Sequence, residues 1–203
     1  MSIILVRHGE TALNRARVLQ PADTALSDLG LAQAEAVALF LVPLRPAGVI
    51  SSDLPRALQT AESIGRATGL GVETSDLLQE RNFGNLRGKP YDTLGFDPLT
   101  AAHAPPGGES AAAFEQRVGR AFAWVLARRS GLAGPLVVVT HGLVLRQILT
   151  GWADLAGRQG DDLNIGNTAV SILDAQPPYV VTLLNSTRHL AAAYHEGRGL
   201  VGG

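Results

Sequence analysis

The sequence predicts an α/β fold: a three-layer sandwich with a mostly parallel central sheet, helices on both faces, and an antiparallel edge near the C-terminus. Three observations predict it. Short β-rich runs alternate with longer helical patterns, which is how βαβ units read in sequence. One of those runs, residues 3–6, is continuously apolar and a second, 136–140, strongly so, as strands covered on both faces are. Two further runs, 169–173 and 180–184, are joined through Gln176-Pro177-Pro178, too closely for a crossover, which favours an antiparallel hairpin at a sheet edge. At 203 residues the chain is long enough for one well-buried core, so a single domain over 1–203 is expected.

The elements follow in order. After the first strand, Ser27 has the chemistry of an N-cap, and Leu31, Ala34, Val37, Ala38 and Leu41 recur at helical spacing until Pro43 and Pro46 stop the pattern. Residues 48–52 read as a second strand. Residues 55 to about 68 read as a second helix, with Pro55 at its start and Gly69 as its C-terminal stop. From about 78 to 108 glycines and prolines accumulate without periodicity, so this stretch reads as an irregular excursion over the sheet, the kind of loop that often covers or builds a site. Ser110 caps a third long helix with Phe114, Val118, Ala121, Phe122 and Val125 on one face, and the strand 136–140 runs directly into a helix over about 143–153.

Composition removes several classes of function. Hydrophobic residues are 46% and charged residues 17%, the balance of an ordinary globular protein. The formal net charge of -1 supplies no global field toward nucleic acid or anionic lipid, so neither is an expected partner. There is no cysteine, which excludes disulfides, thiolate metal sites and cysteine nucleophiles. No run approaches the ~20 apolar residues of a membrane span. The start, Met-Ser-Ile-Ile-Leu-Val-Arg-His, lacks the basic and apolar regions of a signal peptide, so a cytoplasmic protein is expected. No Asp-x-Asp pair of the Mg²⁺-dependent phosphatase type and no Gly-x-x-x-x-Gly-Lys-Ser/Thr run is found.

Two places share a form: an apolar strand ending in His-Gly. They are Arg7-His8-Gly9-Glu10-Thr11 and Thr140-His141-Gly142. In open α/β sheets ligands bind beyond the carboxyl ends of strands, where both histidines fall. The glycine after each permits a sharp turn and a close backbone approach to a ligand, and backbone N–H groups exposed in such a turn form an anion site. A third piece, Ser51-Ser52-Asp53-Leu54-Pro55-Arg56-Ala57-Leu58-Gln59-Thr60-Ala61, puts Arg56 in the first turn of a helix. A cation is unfavourable there unless an anion is shared between it and the positive helix end.

Those three runs, with Asn14, the Leu78-Gln79-Glu80 loop and Gly84, Gly107-Gly108-Glu109-Ser110, and a C-terminal Asn185-Ser186-Thr187-Arg188-His189-Leu190, resemble the histidine phosphatase superfamily, also called phosphoglycerate-mutase-like. The motifs stand in the family's order over residues 3–142. The resemblance implies that His8 is the nucleophile that becomes phosphohistidine, that Arg7, Arg56 and His141 form the phosphate pocket with Asn14 as a supporting contact, and that Glu80 is the general acid/base. It implies a small phosphorylated substrate, no metal and no cofactor. Family members are often dimers, which admits a homodimer with no interface identified. Elementary chemistry agrees with these roles: a neutral imidazole is nucleophilic near neutral pH, and arginine offers fixed paired donors to phosphate. His103, His189 and His195 read as structural or exposed; Arg81 and Arg87 either bind an acidic substrate or solvate a loop, with solvation as the default.

Hydrolase and mutase share the phosphohistidine step and differ in the acceptor. Arg87 stands where the typical phosphatase loop carries an acid, and Asn82 where mutases usually have His. Only 60 residues separate Glu80 from His141, without the Trp-Arg-Arg-Ser-like insert of the mutases, and less material makes water harder to exclude. A phosphomonoester hydrolase is therefore expected, with a cofactor-dependent phosphoglycerate mutase as the alternative. A non-catalytic phospho-ligand binder is disfavoured because His8 and Glu80 are both present.

Overall fold

The structure, a computed structural model, describes residues 2–158, 160 and 163–191. Its first strand, β1 (Ser2–Arg7), is followed by a single helical turn, α1 (Ala12–Arg15), and by α2 (Asp28–Leu41). Next come β2 (Gly48–Ser52), α3 (Pro55–Thr68) and a short strand β3 (Val72–Ser75). The excursion from 78 to 108 holds only isolated 3₁₀ turns, and leads into α4 (Ala111–Ser130), β4 (Leu136–Thr140) and α5 (Gly142–Gly151). β5 (Val170–Asp174) and β6 (Val181–Ser186) close the chain's one sheet among the described residues. The strand order is β3-β2-β4-β1-β5-β6. The first four strands in that order are mutually parallel, and β5 and β6 make the expected antiparallel edge.

The alternation of side chains along each strand sorts the core into two layers. Ile4, Val6, Val49, Val137 and Val139 face α2 and α3, packing on Val37, Ala38, Leu41, Ala57, Ala61 and Ile64. Ile3, Leu5, Ile50, Leu136 and Val138 face the other way, onto Phe114, Val118, Phe122 and Val125 of α4 and Val144, Leu145 and Ile148 of α5. Ser27 and Ser110 cap as expected, accepting hydrogen bonds from Gly30 N–H and Ala113 N–H at 3.1 Å each. No helix among the described residues is long and apolar enough to cross a membrane.

Three expectations change. β3 is an edge strand that sequence reading missed, because Val72-Glu73-Thr74-Ser75 is polar and half-exposed with no apolar run to mark it. Leu31 is exposed at 44%, not part of the buried face of α2, which runs through Gly30, Ala34, Val37, Ala38 and Leu41. Arg81, whose default reading was a solvated loop residue, is buried; it donates to the carbonyls of Ala101, His103 and Glu109 and so ties the excursion together. His195 lies outside the described residues.

The β1 end is pinned by a backbone-to-backbone contact. A Cβ on Gly30 would lie 2.0 Å from the Glu10 carbonyl oxygen, and one on Gly9 would lie 2.5 Å from that of Gly30. Neither backbone can yield as a flexible side chain does. Gly30→Ala is expected to cost about 1–3 kcal/mol, as overpacking does, read as a lowered Tm. Gly71→Ala, whose Cβ would meet nothing within 4 Å, should leave Tm nearly unchanged, and equal Tm values for the two variants would contradict the packing argument.

Candidate active site

Sheet register explains why distant residues meet. β1 and β4 are adjacent and parallel, with Val6 opposite Val139 and Arg7 opposite Thr140. Adjacent strands lie ~4.8 Å apart, so the next residues of each, His8 and His141, emerge side by side; their ring centroids are 5.2 Å apart. β2 flanks β4 on its other side, with Ser51 opposite Val139, and two residues beyond its end at Ser52 the chain enters α3. Arg56, the second residue of α3 after Pro55, is thereby carried to the same strand ends and is only 2% exposed. Glu80 arrives from the loop after β3, which is fastened to the end of β4 by Thr140 Oγ1 donating to the Leu78 carbonyl at 2.6 Å.

Hydrogen bonding sets the chemistry of each group. His8 Nδ1 lies 2.7 Å from the Gly9 carbonyl oxygen, which can only accept. The proton of a neutral ring is therefore on Nδ1, and Nε2 carries the lone pair. His141 Nε2 lies 2.9 Å from Ser52 Oγ, while its Nδ1 is buried with no protein partner. Arg7 donates from Nη1 to the Ile165 carbonyl and Arg56 from Nη1 to the Pro21 carbonyl, and the Nε of each is buried and unpartnered. Buried polar groups are nearly always satisfied, and here three neighbouring side chains each keep a buried nitrogen that no protein group meets. The Glu80 carboxyl is held by two backbone donors, Arg81 N–H on Oε1 at 3.0 Å and Leu143 N–H on Oε2 at 3.2 Å.

No backbone N–H of the His8–Thr11 turn is left for a ligand. The expectation that backbone N–H groups there would cradle a ligand fails, because each is already committed. His8 N–H donates to Thr140, Gly9 N–H to Thr60 Oγ1, Glu10 N–H to Gln33 Oε1 and Thr11 N–H to Asn14 Oδ1. Gly9 is needed for its contact with Gly30, not for approach to a ligand.

Burial and mutual repulsion shift the ionisations in the direction phosphoryl chemistry needs. Burial, reinforced by the Arg7 and Arg56 guanidinium groups, holds His8 well below the ordinary imidazole value, so it is neutral. His141 is pushed the same way by burial and then by Arg56. Burial lowers Arg56 to about 10, which leaves it charged at neutral pH. Glu80 moves upward: burial outweighs the two backbone donors and the pull of Arg56 and Arg7.

The profile of the histidine phosphatase superfamily, branch 1, matches residues 3–186. The chain belongs to this superfamily. Among its relatives is a probable phosphoglycerate mutase, GpmB, of Yersinia pestis (strain Pestoides F), 32% identical over 94% of this chain and 95% of the relative. Similar solved structures include a mycobacterial glucosyl-3-phosphoglycerate phosphatase, at 30% identity and TM-score 0.70 over 85% of this chain and 90% of that one. A phosphoserine phosphatase of Entamoeba histolytica is similar at 25% identity and TM-score 0.78, over 93% and 98%.

Within this histidine phosphatase fold, the motif residues largely converge. Arg7, His8, Asn14, Arg56 and Glu80 line a small cavity of about 60 Å³, the scale of one small anion. An adjoining cleft of about 880 Å³ shares Arg7, Asn14, Glu80 and Tyr91 with it. His141 is fully buried against His8 and stands behind the cavity lining rather than in it. Asn14 completes the capping box of α1, whose N-cap is Thr11: its side-chain oxygen accepts from Thr11 N–H and also from Asn167 Nδ2, so it serves the turn and the cavity wall together. Sequence reading missed Tyr91 and Asn167, both on irregular segments with no pattern to mark them; Asn167 Nδ2 also donates to the His8 carbonyl. Arg87, for which substrate binding and loop solvation were both open, is half-buried and faces the small cavity.

Proposed function

We propose that this protein, as one domain over 1–203, is a metal-independent phosphomonoester hydrolase that works through a phosphohistidine on His8. The observation that carries the reading is the His8 ring itself: neutral, with its proton held on Nδ1 by the Gly9 carbonyl and its Nε2 lone pair left beside two guanidinium groups. Nε2 attacks phosphorus, an N–P bond forms, and the P–O bond to the substrate breaks. The leaving oxygen takes the bond's electron pair and the proton of Glu80. Water then gives a proton to the Glu80 carboxylate, its oxygen attacks phosphorus, and the N–P electrons return to Nε2. The sum is a phosphomonoester plus water giving an alcohol and inorganic phosphate.

Phosphoryl transfer asks mainly for positioning and for stabilisation of the equatorial oxygens. Arg7 and Arg56 supply permanent charge, while His141, packed against His8 behind the lining, backs the nucleophilic ring. The wide cleft beside Glu80 favours water as acceptor over a returned sugar acid. A panel of phosphomonoesters assayed with EDTA present, against interconversion of 3- and 2-phosphoglycerate primed with bisphosphoglycerate, tests the reading. Hydrolysis of at least one ester should far exceed interconversion; the reverse would make the protein a mutase, and loss of hydrolysis in EDTA would remove metal independence.

Arg56→Lys keeps the charge and loses the planar fork of donors. It is expected to lower kcat/KM about 10²-fold, the usual loss when one well-placed donor to the transition state goes. A change of less than about threefold would take Arg56 out of the phosphate pocket.

A further inference from the structure

The acid in this scheme sits in an unsupported place. Glu80 lies on neither strand nor helix, and groups on loops hold catalytic geometry only when a surrounding shell locks them. The shell here is largely one side chain. Arg117, on the first turns of α4, donates from Nη1 to the carbonyls of Leu77 at 2.9 Å and Gln79 at 2.7 Å, and from Nη2 to that of Glu80 at 3.3 Å. Thr140 takes the carbonyl between, on Leu78. Four successive carbonyls are thus held from outside the loop. The same guanidinium grips both oxygens of Glu109, Nε to Oε1 and Nη2 to Oε2 at 2.8 Å each. Glu109 in turn accepts Asn82 N–H at 2.8 Å, beyond the far end of the acid. The Phe114 ring, 5.3 Å from the Arg117 carbon, backs the guanidinium.

We propose that Arg117 is the positioning residue for Glu80: a half-buried guanidinium–carboxylate pair with Glu109 that clamps the 77–80 loop and so aims the acid at the leaving oxygen. Arg117 touches neither cavity and is not itself catalytic. Lysine cannot replace it, since a single ammonium cannot span two carboxylate oxygens and three carbonyls in one plane. The inference rests on Glu80 being the acid of the proposed hydrolase.

The test separates aim from scaffolding by the leaving group. 4-Nitrophenolate departs without a proton, whereas an alkoxide needs one. Arg117→Lys should lower kcat/KM about 10- to 100-fold on an alkyl phosphate, the loss expected when a catalytic group is displaced by about 1 Å, and less than about threefold on 4-nitrophenyl phosphate. Glu109→Gln should show the same pattern more weakly, and stands in if Arg117→Lys does not fold. Combined with Glu80→Gln, Arg117→Lys should add nothing to the loss on the alkyl ester, because the two act on one proton transfer. Equal losses on both esters, or full additivity in the double variant, would overturn the inference and leave Arg117 as scaffold. If Glu80→Gln alone shows no leaving-group dependence, the acid assignment fails and takes this inference with it. If Glu80→Gln shows the dependence and the Arg117 and Glu109 variants do not, only the present inference fails.

Discussion

His8→Ala is expected to abolish the covalent intermediate and to cut kcat by at least about 10⁴-fold, the scale of losing a nucleophile. Incubation of the wild-type protein with ³²P-labelled ester followed by quenching should give label that is labile in acid and stable in base, and the variant should give none. The reason is local. The Gly9 carbonyl keeps the proton on Nδ1, so Nε2 is the one ring atom with a free electron pair. When Nε2 bonds to phosphorus the ring becomes cationic, and the same carbonyl, 2.7 Å from Nδ1, then meets a stronger donor. His141 cannot substitute, because it lies behind the cavity lining with Nε2 engaged by Ser52. Label that persists in His8→Ala would remove His8 from the mechanism.

Glu80→Gln is expected to cost about 10²- to 10³-fold on alkyl phosphates, the range of general acid catalysis, and to alter the pH profile. The signs follow from the environments. His8 is depressed well below the usual imidazole value, so lowering the pH does not protonate the nucleophile of the free enzyme until well under about 6.5. Glu80 is raised by burial, so it stays protonated to a higher pH than an ordinary carboxyl and loses its acid form as pH rises further. The kcat/KM profile for an alkyl ester should therefore hold up on the acid side and fall on the alkaline side. In Glu80→Gln the alkaline fall due to this group should vanish, leaving a lower and flatter curve. An unchanged alkaline limb would show that another group carries it.

The site was legible in unequal parts, for physical reasons. Arg7, His8, Arg56 and His141 stand at strand ends or in a first helical turn, where apolar runs and Pro55 mark the positions in the chain itself. The role of Gly9 was misread because a glycine's need can arise from a contact made far along the chain, here the Gly30 carbonyl. Arg81 was read as binding an acidic substrate or, by default, solvating a loop, yet its donors are spent on backbone carbonyls at residues 101 and 109, which no periodicity announces. Tyr91, Asn167 and Arg117 gave no local signal. Each meets partners dozens of residues away: Tyr91 N–H donates to the Arg17 carbonyl, Asn167 to that of His8, and Arg117 to those of residues 77, 79 and 80.

By itself the chain determined which chemistry is available: apolar periods that build a doubly covered sheet, two imidazoles placed where strands stop, and arginines in place of thiols. These are properties of neighbours in sequence, carried by side-chain identity and spacing. Only the folded arrangement decided that Nε2 of His8 is the free nitrogen, that the turn after β1 spends its backbone donors on protein, that His141 stands behind rather than in the cavity, and that one guanidinium holds the Glu80 loop. Hydrogen-bond partners and burial are set by which distant segments the sheet order makes adjacent, and adjacency of that kind is written nowhere in a local stretch of residues.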